Sequence, residues 1–187
     1  WPESSFVGID LAQQPIAQGQ GVIEALGLRN LELLSLDVLA FPETMGSFDY
    51  IIAHGLYSWV PDGVREAIMA LCARHLAPQG VAFISYNTYP GCHVRNIVRD
   101  MLRYHVHNAP DAATKISQSR ALLKFMAEAQ PEEDEYGQML RKEVERVLTH
   151  APEHLFHDDL SEHNHPVYFH EFERHAQAPG LRFLSEA

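Results

Sequence analysis

Short apolar runs alternate with amphipathic stretches over the first ninety residues. Residues 6–9 (FVGI), 31–36 (LELLSL), 48–53 (FDYIIA) and 81–86 (VAFISY) are apolar runs of strand length. Between the first two, residues 11–27 set Leu11, Ile16, Ile23 and Leu26 on or near one helical face, and Gly27 supplies a stop. Residues 62–76 repeat the pattern with Val64, Ala67, Ile68, Leu71, Cys72 and Leu76. Asp62 reads as the N-cap of that helix, and Pro78 and Gly80 end it. Strands separated by helices imply right-handed crossovers and a parallel α/β sheet.

Beyond residue 90 the pattern changes. Residues 92–108, 112–129 and 134–150 read as helices with no strand between them. The third is the clearest, with Tyr136, Met139, Leu140, Val144, Val147 and Leu148 on one stripe. The acidic run QPEEDE, with Glu132, Glu133, Asp134 and Glu135, falls at its start. The helix dipole favours negative charge there, so the run reads as a solvated helix end and not as a partner-binding tail. After the polar loop HDDLSEHNHP, residues 169–178 read as a further helix, Gly180 breaks it, and LRFLSE reads as a strand. No internal repeat or low-complexity segment is present.

Composition narrows the classes. A chain of 187 residues with 46% hydrophobic content suits one domain with an elaboration. No window approaches the roughly 18 apolar residues of a membrane helix, and the start, WPESS, lacks the pattern of a signal peptide. Two cysteines, Cys72 and Cys92, exclude a disulfide scaffold and make a reducing cytoplasm the default. The net charge of −11 argues against a broad nucleic-acid-binding surface.

Asp10 stands at the tip of the first strand, before a helix. An acid so placed accepts hydrogen bonds from two vicinal hydroxyls, such as those of a nucleotide ribose; the competing reading makes it a helix cap. Twelve histidines raise the question of a metal. His157, His163 and His165 share a loop with Asp158, Asp159 and Glu162, but loop spacing fixes no ligand geometry. His105 and His107 point to different helix faces. A polar, hydrogen-bonded loop with no metal is the favoured reading. Cys92 beside His93 is a weak nucleophile signature, and Cys72 reads as core.

The order strand, Asp10, helix, strand, Asp37, strand, His54, helix, LAPQG, strand resembles the later part of a class I S-adenosylmethionine-dependent methyltransferase domain over residues 5–90. The strings HGLYSWVP (54–61), YNTYPGCH (86–93) and PVYFHEFERHAQAPGLRFLSEA (166–187) resemble bacterial methyltransferases that carry a methyltransferase regulatory domain. The resemblance implies a Rossmann-like fold with an α-helical cap and S-adenosylmethionine as cofactor. It implies that Asp10 binds the ribose hydroxyls, that Leu11 packs on the adenine, and that Asp37 accepts from the adenine amino group beside a Val38 backbone N–H. His54 and Gly55 fall where the methionine moiety lies. Tyr57, Tyr86 and Asn87, just past strand ends, are candidates to orient the methyl acceptor, and His54 is a candidate base.

The family's opening strand and glycine-rich turn are not found: Gly8, Gly19 and Gly21 follow no strand. On this reading the sheet lacks its first strand, leaving two unpaired inner edges about two strand spacings, roughly 10 Å, apart. The expected organisation is a partial cofactor-binding domain at 1–91, a helical regulatory insertion at 92–165 acting as a lid, and a returning helix and strand at 166–187. The expected function is methyl transfer to an unknown acceptor, a small molecule or a protein, with nucleic acid disfavoured and homo-oligomerisation open. Two other readings stand beside it: a non-catalytic ligand-sensing module, and a dehydrogenase in which Asp10 serves NAD.

Overall fold

A computed structural model of the chain describes residues 1–129 and 134–186. The first half is built from two β-α-β crossovers. Strand β1 (Phe6–Asp10), helix α1 (Gln13–Ala25) and strand β2 (Leu31–Ser35) form one, with Phe6 opposite Leu31 and Asp10 opposite Ser35 in a parallel pair. Strand β3 (Phe48–Ala53), helix α2 (Asp62–His75) and strand β4 (Leu76–Ile84) form the other, also parallel, with Ala53 opposite Ile84. Among the described residues the two pairs do not hydrogen-bond to each other.

Local chemistry sets these boundaries. Helix α1 closes where Gly27 takes φ +65°, with Gly27 N–H on Glu24 C=O and Leu28 N–H on Ile23 C=O. This is the 6→1, 5→2 pattern that a left-handed glycine permits. Leu11 and Leu26 lie outside the helix and are exposed, so Ile16 alone of the expected face is buried. Asp62 is the first residue of α2 and not its cap, since Pro61 takes the capping position; Asp62 instead holds Arg65 at 2.5 Å.

Helix α2 ends at His75, and β4 begins in the LAPQG segment rather than at residue 81. Leu76 pairs with Phe48 and Val81 with Tyr50, so Ala77–Gly80 bulge out between them. A Cβ on Gly80 would lie 2.9 Å from the Phe48 carbonyl oxygen, which is why the bulge carries a glycine. Ile68, Met69, Cys72 and His75 are buried along α2. His75 Nδ1 is 2.7 Å from the Gly46 carbonyl, and its ring meets Phe41 edge-on at 5.0 Å, fastening the turn that leads into β3. Tyr50 and Ile52, alternate residues of β3, are 74% and 72% exposed.

Helices α3 (Cys92–His105), α4 (Ala112–Ala129) and α5 (Glu135–Leu148) follow. Helix α6 (Pro152–His154) continues as a π-turn over Leu155–Asp159, and α7 spans Phe169–Gln177. The chain forms two units, one of residues 1–84 with 173–187 and one of residues 85–172. The second has its own core of Val98, Leu102, Leu123, Met126, Leu140 and Val144, joined by Val147 and Leu155. The expected α5 stripe divides: Leu140, Val144 and Val147 are buried, whereas Tyr136 is 51% exposed and Met139 38%. Asp134 caps α5 through Tyr136 N–H and Gly137 N–H. Glu132 and Glu133 of the acidic run lie outside the described residues.

The strand expected at LRFLSE is not formed. Residues 181–186 have no ladder partner among the described residues, and Phe183 and Leu184 are exposed. An apolar run becomes a strand only where a neighbouring strand takes its backbone groups. No described helix is long and apolar enough to cross a membrane.

Candidate functional site

The parallel register of β1 and β2 sets two acids at one end of one strand pair. Asp10 closes β1 opposite Ser35, and Leu36 N–H donates to the Asp10 carbonyl at 3.0 Å, so Asp37 follows immediately at the same carboxyl end. Asp10 Oδ1 accepts from Ala12 N–H at 2.7 Å, and Asp37 Oδ1 accepts from Leu39 N–H at 2.9 Å. Each acid therefore anchors its own turn with one oxygen. The second oxygen of each takes no hydrogen bond from a described residue. The cap reading of Asp10 is met only in part, since the α1 N-cap position belongs to Ala12.

Asp10 is exposed, and Leu11 beside it is 71% exposed. Val38 opens the 3-10 turn Val38–Ala40 behind Asp37. The first N–H of such a turn has no partner within it and points outward. Asp10, Leu11, Asp37 and Val38 therefore all lie at the carboxyl end of one strand pair.

The second strand pair ends in His54 and Gly55. His54 is exposed and stacks on Phe83, with centroids 6.1 Å apart and rings 8° from parallel. Gly55 takes φ +66°, which L side chains rarely adopt, and turns the chain away from the strand. Tyr57, in the 3-10 turn Tyr57–Trp59, is 2% exposed, and its hydroxyl lies 2.7 Å from His175 Nδ1 on α7.

Tyr86 and Asn87 lie in the helical unit. Tyr86 stacks on Phe172 at 4.0 Å. Asn87 donates to Asn164 at 3.0 Å, Asn164 to Asn96 at 2.9 Å, and Asn96 to the Tyr89 hydroxyl at 3.1 Å. Val167 N–H reaches the Asn87 carbonyl, and Tyr89 N–H the Val167 carbonyl, both at 3.0 Å. The strings YNTYPGCH and PVYF, far apart in sequence, are therefore joined by a short parallel bridge at Thr88 and Val167.

Of the histidine-rich stretch, His157, Asp158 and Asp159 lie in the π-turn, not in a loop, and are held by charged or imidazole partners. Asp159, 1% exposed, accepts from Arg95 at 3.2 Å and lies 3.1 Å from His150 Nδ1. Asp158 pairs with His154 at 3.0 Å and His157 at 2.9 Å. Burial raises the Asp158 pKa, but the His157 hydrogen bond and the nearby His154 and Arg95 charges outweigh it and hold the carboxyl below its ordinary value. Arg99, also buried, donates to the carbonyls of Asp158 and Ser161. Its burial and the neighbouring Arg103 and Arg95 charges bring its pKa down to about 10. Among the described residues no group of three or more histidine, cysteine, aspartate or glutamate side chains is placed to hold a metal ion.

Cys72 does not have the setting of a nucleophile. Burial pushes the Cys72 thiol up to about 11, which keeps it protonated. His93 stacks on Tyr89 at 4.3 Å. A cleft of about 420 Å³ in the helical unit, lined by Val94, Gln138, Met139, Lys142 and Arg146 among others, holds none of the candidate residues. The Tyr57–His175 and Arg95–Asp159–His150 contacts had no sequence signal, because their partners lie 118, 64 and 9 positions apart with no fixed spacing.

Comparison with known proteins decides the family. Residues 1–80 match the family model of a methyltransferase domain, and residues 151–187 match that of a predicted methyltransferase regulatory domain. The uncharacterized protein RP028 of Rickettsia prowazekii is 36% identical over 185 residues, covering 98% of this chain and 74% of that protein. The chain belongs to the family of methyltransferases with this regulatory domain. A second protein of Rickettsia prowazekii, RP789, is 37% identical over the whole chain, which spans 34% of its length. The solved structure of PKMT2 from Rickettsia typhi in complex with AdoHcy superposes on this chain with a TM-score of 0.88 at 35% identity, over 99% of this chain and 36% of that one. The chain thus spans about a third of the length of RP789 and of PKMT2. Family and likeness together set aside the dehydrogenase reading of Asp10.

Proposed function

We propose that this chain binds S-adenosylmethionine and serves methyl transfer to an acceptor outside the cofactor site. The observation that carries the reading is the shared carboxyl end of β1 and β2, where Asp10 and Asp37 each keep one carboxylate oxygen outside their turns and Leu11 is exposed, the kinds of group that would meet a nucleoside. The structure of PKMT2 with AdoHcy, the demethylated form of that cofactor, supports it.

When bound, the cofactor supplies an electrophilic methyl group on a sulfonium. The protein's part is positioning and exclusion of water, because an in-line displacement needs little covalent help. Asp10 is fixed by its bond to Ala12 N–H, which leaves its second oxygen for the ribose hydroxyls assigned to it. Asp37 is fixed likewise through Leu39 N–H. Exposed His54, steadied by Phe83, is the group assigned to take a proton from the acceptor, with Gly55 letting backbone approach the methionine moiety. Tyr86 and Asn87 are assigned to the acceptor side. Tyr57, buried and bonded to His175, enters this reading as a group that holds its loop.

The same proposal keeps 1–91 as the cofactor part, 92–165 as a helical regulatory region and 166–187 as the returning segment. A small molecule or a protein side chain is the acceptor class that the charge of −11 favours over nucleic acid. Two free cysteines support a cytoplasmic setting. Calorimetric titration of AdoHcy and S-adenosylmethionine, with NAD as control, tests the reading. Micromolar AdoHcy binding that is lost in Asp10→Ala supports it. Folded chain that binds neither sulfur compound overturns it in favour of a non-catalytic module.

A further inference from the structure

We infer that His175 is a positioning residue for the cofactor loop. Through Tyr57 it lets the segment matching the regulatory domain hold the chain that follows β3. The inference rests on the cofactor reading above and extends it to a residue outside the cofactor set.

The loop after β3 has two halves. His54, Gly55 and Leu56 are exposed, as a segment that meets a ligand must be. Tyr57 and Ser58, next along the chain, are 2% and 1% exposed. Trp59 N–H closes the turn on the Leu56 carbonyl at 2.9 Å. The exposed half runs from β3, where His54 stacks on Phe83, to the buried half, so the buried half fixes one of its two ends.

The buried half is clamped by side chains from two helices. From α2, the Arg65 guanidinium lies 5.5 Å from the Tyr57 ring centroid and is itself fixed by Asp62. From α7, His175 Nδ1 lies 2.7 Å from the Tyr57 hydroxyl. The other His175 nitrogen is buried, with Glu66 Oε2 at 3.1 Å but without hydrogen-bond geometry. His175 is thus wedged between a phenol and a carboxylate, both carried by the segment 57–66. With Nε2 protonated, Nδ1 accepts from the Tyr57 hydroxyl; with both nitrogens protonated, Nδ1–H donates to the same oxygen. The link survives either state and depends on a polar atom at that place. Residue 175 falls within the stretch 151–187 that matches the regulatory domain, and residues 54–57 within the stretch 1–80 that matches the methyltransferase domain. A displacement of α7 would therefore be felt at the cofactor loop through one hydrogen bond.

The test uses His175→Phe, Tyr57→Phe and the conservative His175→Gln. Two readouts are taken: AdoHcy affinity by calorimetry, and amide hydrogen exchange across residues 54–60. Both phenylalanine variants should weaken AdoHcy binding about 5- to 20-fold, the lower part of the span of an ordinary coupling between sites. The double variant should be no weaker than either alone, because both remove one bond. His175→Gln, which keeps a polar atom, should stay within about twofold of the parent by the same reasoning. Exchange should rise at 54–60 and stay unchanged in α3, α4 and α5. A purely structural role would lower the melting temperature and leave AdoHcy affinity unchanged, which overturns the inference. Tyr57→Phe removes a single oxygen atom, so it remains decisive if His175→Phe does not fold. If the parent chain binds no AdoHcy, the cofactor reading fails, and exchange at 54–60 decides the joint on its own: no rise in Tyr57→Phe overturns it.

Discussion

Replacing Asp10 by asparagine separates the two jobs that its carboxylate does. Oδ1 accepts from Ala12 N–H at 2.7 Å and holds the turn between β1 and α1. An asparagine carbonyl oxygen can also accept that bond, and in an exposed turn the loss of charge costs the fold little, so the anchor is kept. The change falls on the hydroxyls of the bound nucleoside. A hydrogen bond to a charged group contributes about 1.5–3 kcal/mol and one between neutral groups about 0.5–1.5 kcal/mol. Two such bonds, each weakened by about 1 kcal/mol, amount to about 2 kcal/mol, or roughly 30-fold in affinity. Asp10 is exposed, so stability should move by no more than about 0.5 kcal/mol. Calorimetric titration of AdoHcy into parent and Asp10→Asn, beside urea denaturation of both, reads the two effects separately. A variant of unchanged stability that binds AdoHcy within about threefold of the parent would refute the reasoning, since the predicted weakening rests on loss of the charge.

Other expectations follow from the same contacts. Gly80→Ala forces a Cβ against the Phe48 carbonyl and should lower stability by about 1–3 kcal/mol in chemical denaturation, the usual cost of overpacking. Asp158 has a folded pKa below its unfolded value of about 3.9. Its contribution is present above that unfolded value and is lost as pH falls through the folded one, so Asp158→Asn should flatten the acid limb of a stability-against-pH curve below about pH 4. The Cys72 thiol, at about 11, is only about one part in a thousand thiolate at pH 8. Iodoacetamide followed by mass spectrometry should therefore find Cys92 labelled before Cys72 in the native chain.

Elements whose cause is local were legible in the sequence, and those whose cause is distant were not. Gly27 ends α1 because a glycine reaches positive φ, and this can be read at one position. Asp10 and Asp37 were found because each follows an apolar run, and the β1–β2 register then aligns them. LRFLSE has the same look as those runs, yet its strand depends on a partner that its own residues do not encode. Tyr136 and Met139 fit the α5 stripe by spacing, but only the packing of α3 and α4 decides which edge of a broad stripe is covered. Tyr57 stands just past a strand end, as an acceptor-facing residue does. Its burial against His175 is set 118 residues away.

Arg99 carries a consequence for how this segment tolerates variation. One guanidinium on α3 reaches two carbonyls, those of Asp158 and Ser161, on either side of the end of the π-turn. A lysine there would keep the charge but present a single rotating point, leaving one buried carbonyl without its donor. An uncharged residue would leave both. The polar loop that follows can thus drift in its exposed side chains, because its path is fixed through backbone oxygens that every residue possesses. That part of the constraint sits not in the loop but at one position on a helix nearly sixty residues earlier.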